Sequence, residues 1–136
     1  MVGYSKRSLA EKLGIKPHGC VVVLNKPPQY EELVAPLPVG TTITEALFKD
    51  SAFIHFFVTE KSVLEKRFAK LKKHLKEDGI LWISWPKGSS KIPTDLNENS
   101  IRDIGLAHGL VDVKVCDVDE DWSGLKFVYR LVDRKN

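Results

Sequence analysis

Apolar residues along this chain fall into two patterns. Cys20-Val21-Val22-Val23-Leu24, Phe53-Ile54-His55-Phe56-Phe57-Val58 and Ile80-Leu81-Trp82-Ile83-Ser84-Trp85 are nearly unbroken runs, as expected of strands buried on both faces of a parallel sheet. Between the second and third runs the spacing changes. Leu64, Phe68, Leu71 and Leu75 recur at helical intervals and predict the buried stripe of a helix capped by Thr59 and running to about Lys76. Asp78-Gly79 is expected to end that helix. Asn97 is a good cap for a further helix reaching about His108, with Gly109 at its end. Leu110 to Val118 and Leu125 to Val132 read as strands joined by a turn over residues 119–124. Nearer the start, Ser5 to Leu13 is a short helix stopped by Gly14, Pro28 to Val34 is another with proline in its first turn, and Thr41 to Thr44 is a weak strand.

Helical and apolar segments that alternate in this way predict an α/β fold: a single Rossmann-like domain over residues 1–136, its mainly parallel sheet flanked by helices. Only a tight turn separates the last two strands, so they form a C-terminal antiparallel hairpin. Numbered by appearance, the expected strand order is two-one-three-four-six-five, with only the last strand reversed. No internal repeat, low-complexity tract or interdomain linker is evident.

Composition narrows the function classes. The net charge of +3, from 21 basic and 18 acidic residues, is too small to argue for nucleic acid, which needs a concentrated basic face. The longest apolar runs fall far short of the ~20 residues of a membrane span, and no signal peptide is visible at the start. Cys20 and Cys116 sit in separate strand-like segments and are expected to be free, buried thiols, in keeping with a reducing cytoplasm.

Candidate chemistry gathers at one edge. Ligands of open α/β sheets bind outside the carboxyl ends of the strands. The run that ends in Trp85-Pro86-Lys87 and the segment Trp122-Ser123-Gly124-Leu125-Lys126 should share that edge, with Lys91, Thr94 and Asp95 leading into the helix at Asn97. Trp85, Lys87, Lys91, Thr94, Asp95, Trp122, Ser123 and Lys126 are therefore the expected ligand-binding residues. Lysines and helix-start amides suit a small anion or nucleotide, and either Trp could stack on a ring. A purely structural account stands beside this one: Trp85-Pro86 packs the edge, Gly124 makes the hairpin turn, and the lysines are solvated. His55 reads as a satisfied core histidine. Ser84 and Ser123 lack a nucleophile elbow or an assignable histidine partner, and no histidine or cysteine spacing suits a metal. No catalytic residue is assigned.

Leu13-Gly14-Ile15-Lys16-Pro17, Phe57-Val58-Thr59, Ser84-Trp85-Pro86-Lys87, Pro93-Thr94-Asp95-Leu96, Gly109 to Cys116, Val118-Asp119 and Trp122 to Lys126 together resemble the small bacterial family catalogued as domain of unknown function 3052. That family implies no established activity. The run from Leu13 to Val22 and the order of elements after Phe53 also resemble class I S-adenosylmethionine methyltransferases, which implies a trimmed version of that topology and S-adenosylmethionine as an alternative cofactor where none is otherwise expected. The glycine-rich turn those enzymes place after the first strand is replaced here by Asn25-Lys26-Pro27-Pro28, which removes amide donors. Glu45, about twenty residues on, could still hold a ribose. Three functions follow: a non-catalytic or regulatory domain with an anion-binding edge, a small methyltransferase-like enzyme, and a protein-interaction module using an exposed Trp122 and the hairpin.

Overall fold

The computed structural model describes residues 7–134. Its sheet contains β1 (Cys20–Leu24), β2 (Thr42–Thr44), β3 (Ser51–Phe57), β4 (Leu75–Pro86), β5 (Leu110–Asp117) and β6 (Trp122–Tyr129). The helices are α1 (Leu9–Leu13), α2 (Tyr30–Val34), α3 (Lys61–His74) and α4 (Glu98–Ala107). The strands lie in the order β2-β1-β3-β4-β6-β5. β1 through β4 pair in parallel, and β6 runs antiparallel to both of its neighbours. Order and direction therefore match the expectation from the apolar runs.

Alternation along the strands splits the core into two layers. Val22, Ile54, Leu81, Ile83 and Phe127 meet Leu64, Phe68 and Leu71 of α3 and Ile101 of α4. On the other face Val21, Val23, Phe53, Phe57 and Trp82 meet Ala10 and Leu13 of α1 and Tyr30 and Val34 of α2. Burial on both faces is why these segments read as unbroken apolar runs.

The approach of α4 to the sheet depends on Gly105, where an added Cβ would lie 2.0 Å from the Phe127 ring. Phe127 is fully buried and has nowhere to retreat. Gly105→Ala is expected to destabilise the protein by ~1–3 kcal/mol, the usual cost of overpacking a filled core. Unchanged chemical denaturation would contradict this.

Several boundaries differ from those the sequence suggests. α3 stops at His74, and Leu75 enters β4 directly. The β3–β4 pairing begins at Ser51 and Leu75, then shifts to Phe53 and Ile80, so Asp78-Gly79 lies in this irregular stretch of β4 rather than ending a helix. Gly79 is needed there because a Cβ would meet the Ala52 carbonyl at 2.9 Å. β6 begins at Trp122, three residues earlier than expected, and ends at Tyr129. Gly124 therefore sits inside the strand opposite Ser84 and does not make the turn; its bare α-carbon leaves room for the Trp82 ring, which a Cβ would meet at 3.0 Å. In the β5–β6 ladder the register slips between Asp112 and Lys114, leaving Val113 without an opposite number. Cys116 is buried but Cys20 only partly so, and both are free thiols.

Candidate functional site

β1 leads through α2 to β2 on one side, and the chain then crosses to β3 on the other, so the direction of winding reverses between β1 and β3. The crevice outside the strands' carboxyl ends at such a point is the usual ligand position of an open α/β sheet. Here it holds a cleft of about 240 Å³ lined by Asn25 after β1, Phe57 to Glu60 after β3, Val63 of α3 and Trp122 of β6. A shallower groove shares Thr59 and Glu60 and continues across Ile92, Pro93, Thr94 and Asp95.

The turn after β1 has no glycine, yet Asn25 adopts φ of 56°. This is the left-handed region that asparagine tolerates better than other side chains. Asn25 Nδ2 donates to the Phe57 carbonyl at 3.3 Å, linking the two turns across the switch point. Neither Pro27 nor Pro28 lines the cleft, so the prolines that stiffen the turn leave the space open. Lys26 instead turns outward to the β2 side, paired with Glu31 and 3.5 Å from Glu45. The bond to Glu31 raises the Lys26 pKa and lowers that of Glu31.

Thr94 and Asp95 belong to this site by a different route from the one the sequence suggests. The N-cap position of α3 is Glu60, whose side chain makes no capping bond. Asp95 Oδ1 accepts the Lys61 amide at 2.8 Å, and Thr94 Oγ1 donates to the Thr59 carbonyl at 2.6 Å. Asp95 thus caps α3 from a loop more than thirty residues away, Thr94 ties that loop to the residue before the N-cap, and Thr59 is not the cap. The start of α4 is closed by its own box, in which Asn97 and Ser100 each accept the other's amide through the side chain.

The remaining expected residues divide. Lys87 stays at the edge, its amide bonded to the Asp121 carbonyl and its ammonium 3.3 Å from Asp117. Lys91 is exposed on the following loop. Trp85 and Trp122 are 7% and 9% exposed and face opposite sides of the sheet. Trp85 fills the α3–α4 layer, while Trp122 packs edge-on to Phe57 at 5.0 Å. Burial of Trp122 removes the exposed anchor on which the interaction-module reading depended. Ser123 lies opposite Trp85. Lys126 pairs with Trp82, four residues down β6 from Trp122 and so about 13 Å from the edge; the early start of β6 is what carries it away.

Below the cleft is a buried polar chain. Tyr30 Oη lies 3.0 Å from His55 Nδ1, and His55 Nε2 lies 2.7 Å from Ser84 Oγ. The imidazole stacks on Phe57 at 4.3 Å, and burial pushes its pKa down to about 3, leaving a neutral ring with one donor and one acceptor nitrogen. His55 and Ser84 are wholly inaccessible, so Ser84 is not placed to attack a substrate. Tyr30, which the sequence did not single out, is the third member; its position in α2 opposite a buried histidine is a tertiary fact with no local signature. Among the described residues no group of three His, Cys, Asp or Glu side chains could hold a metal, and no helix is long and apolar enough to cross a membrane.

No protein-family model and no curated protein matches the chain. Solved structures do. An S-adenosylmethionine-dependent methyltransferase from Aquifex aeolicus superposes with a TM-score of 0.62 at 13% identity, over 88% of this chain and 86% of that one. LepI in complex with S-adenosylmethionine gives 0.53 at 12% identity, over 90% of this chain but only 39% of LepI. A protein assigned as a type 11 methyltransferase from Sulfolobus solfataricus gives 0.53 at 11% identity, over 86% of this chain and 88% of that one. At such identities the likeness is one of fold: a single α/β domain whose sheet and helices superpose on those structures.

Proposed function

We propose that the chain is a small methyltransferase-like domain that binds S-adenosylmethionine in the cleft between Asn25 and Trp122. The observation that carries this reading is the open cleft at the switch point, beside a left-handed turn that lets backbone approach a ligand. Asn25 and the amides near it would hold the ligand's centre, Phe57 and Trp122 would wall its apolar side, and Glu45, just after β2 and 3.5 Å from Lys26, would accept hydrogen bonds from the ribose hydroxyls. S-adenosylmethionine, when bound, supplies an electrophilic methyl group on sulfur. The chain's own part would be to orient the acceptor along the groove of Thr59, Glu60, Thr94 and Asp95, where positioning does the catalytic work. A cytoplasmic setting and kinship with the domain of unknown function 3052 family belong to this reading.

A second reading keeps the cleft without the chemistry. Lys87 and Lys91 flank the edge, and two prolines remove amides that a methyltransferase turn would offer, so a regulatory anion- or nucleotide-binding domain is the alternative. Calorimetric titration with S-adenosylmethionine and S-adenosylhomocysteine separates the two. Saturable binding of both is expected, weakened about tenfold or more in Glu45→Gln, because a hydrogen bond to a charged group contributes ~1.5–3 kcal/mol. No heat with either compound would defeat the methyltransferase reading.

A further inference from the structure

One row of residues crosses the sheet on the α1–α2 face. By register it runs Val23, His55, Trp82, Lys126, Lys114 from β1 to β5. Its first three members are completely buried. The last two are lysines standing directly opposite each other, an arrangement that destabilises an antiparallel pair through like-charge repulsion. The backbone of α1 and the turn after it approach this pair, and the Lys12 and Lys114 charges both reach the Cys116 thiol. Lys114 Nζ lies 3.3 Å from the Lys12 carbonyl, and Lys16 is close enough for its charge, with that of Lys114, to oppose protonation of Lys126, whose pKa is lowered first by burial and then by these neighbours. Among the described residues the ion pairs of Lys26, Lys76, Lys87, Arg102 and Arg130 all lie elsewhere, and none involves Lys12, Lys16, Lys114 or Lys126. The modest net charge of the chain thus hides a local excess of lysine where α1 and the turn after it meet the β5–β6 hairpin.

From this juxtaposition we infer that Lys12, Lys16, Lys114 and Lys126 form a binding site for a compact oligophosphate, separate from the cleft at the carboxyl edge. Lys114 and Lys126 opposite each other, with Lys16 within reach by charge, match a ligand with several negative charges on adjacent groups better than a single carboxylate. Lysine suits such a ligand as a point charge with three donors. The half-buried Lys126 would supply the least hydrated contact and the lysines nearer solvent the outer ones. A charge kept partly desolvated opposite another of the same sign is a cost to the fold that an anionic ligand would offset. Sites of this kind are recognised by stability gained when the function is removed.

The test uses tripolyphosphate and ATP separately, at low ionic strength, with thermal melting and calorimetry on the whole chain. Wild type is expected to bind at least one of them saturably and melt higher with it, and Lys114→Gln/Lys126→Met to lose at least tenfold in affinity. Tighter lysine-dependent binding of tripolyphosphate assigns a free phosphate chain, and tighter binding of ATP assigns a nucleotide; either supports the site. Equal binding by the double variant, or an equal shift from sulfate at matched ionic strength, overturns it. Without ligand, Lys126→Met should melt no lower than wild type, and a clear drop would show that the lysine serves the fold instead.

Discussion

Trp82→Ala is expected to cost about 5 kcal/mol of folding stability. The indole is completely buried in the middle of β4, between His55 of β3 and Lys126 of β6. Removing a buried aromatic side chain costs ~3–5 kcal/mol through lost burial and the cavity left behind. Trp82 also donates its ring N–H to the Leu13 carbonyl at 2.8 Å, a buried bond between α1 and the sheet, and loss of such a bond adds ~1 kcal/mol. Domains of ordinary stability hold only ~5–15 kcal/mol in total. The urea midpoint should therefore fall by about 2 M for a typical dependence of ~1–3 kcal/mol per M. A fall below about 0.5 M would mean that α1 and the sheet do not rely on this ring. Trp82→Phe, which keeps much of the packing and loses the hydrogen bond, should fall between the two.

Acid should destabilise the protein well above the carboxylate range, and His55 is the reason. The folded state holds the ring neutral, with a pKa of about 3, whereas an unfolded histidine takes up its proton near pH ~6.5. Between those values the unfolded chain binds more protons than the folded one, so stability rises with pH there. The contribution is complete above pH ~6.5 and is lost as pH falls towards 3. It amounts to ~2 kcal/mol by pH 5 and a little over ~3 kcal/mol by pH 4, at 1.36 kcal/mol per pKa unit. Glu31, whose pKa is lowered by Lys26, shifts stability in the same direction at still lower pH. His55→Gln keeps a neutral donor and acceptor between Tyr30 and Ser84, and should flatten the dependence between pH 7 and 5. A wild type equally stable at pH 7 and pH 5 would show that the ring charges without penalty.

How much of this was legible in the sequence depends on whether each feature is local. The sheet order could be read because strands buried on both faces are continuous apolar runs and the α3 stripe is helical over three turns. Both signals come from neighbours in sequence. The site was less legible because its parts meet across the fold. Asn25 takes the left-handed conformation in a turn where the prolines signalled only lost amide donors. Asp95 caps a helix that begins thirty-four residues before it. Trp122 and Lys126 were expected at one edge, but three extra residues at the start of β6 keep the first there and carry the second into the middle of the sheet. The pairing of Lys114 with Lys126 across β5 and β6 has no signature in composition, which averages over faces.

The slipped register of β5 bears on how copies of this protein behave towards one another. β5 is an outer strand, and its unpaired side would otherwise present a row of amides and carbonyls for a second chain to continue. Val113 interrupts that row by stepping out of the ladder, and such bulges bend and twist the strand that carries them. The opposite margin, β2, is only three residues long. Neither margin offers a long straight template, so at high concentration the folded chain should resist growing into stacked ribbons, and a deletion that restores even spacing at Val113 should remove that protection.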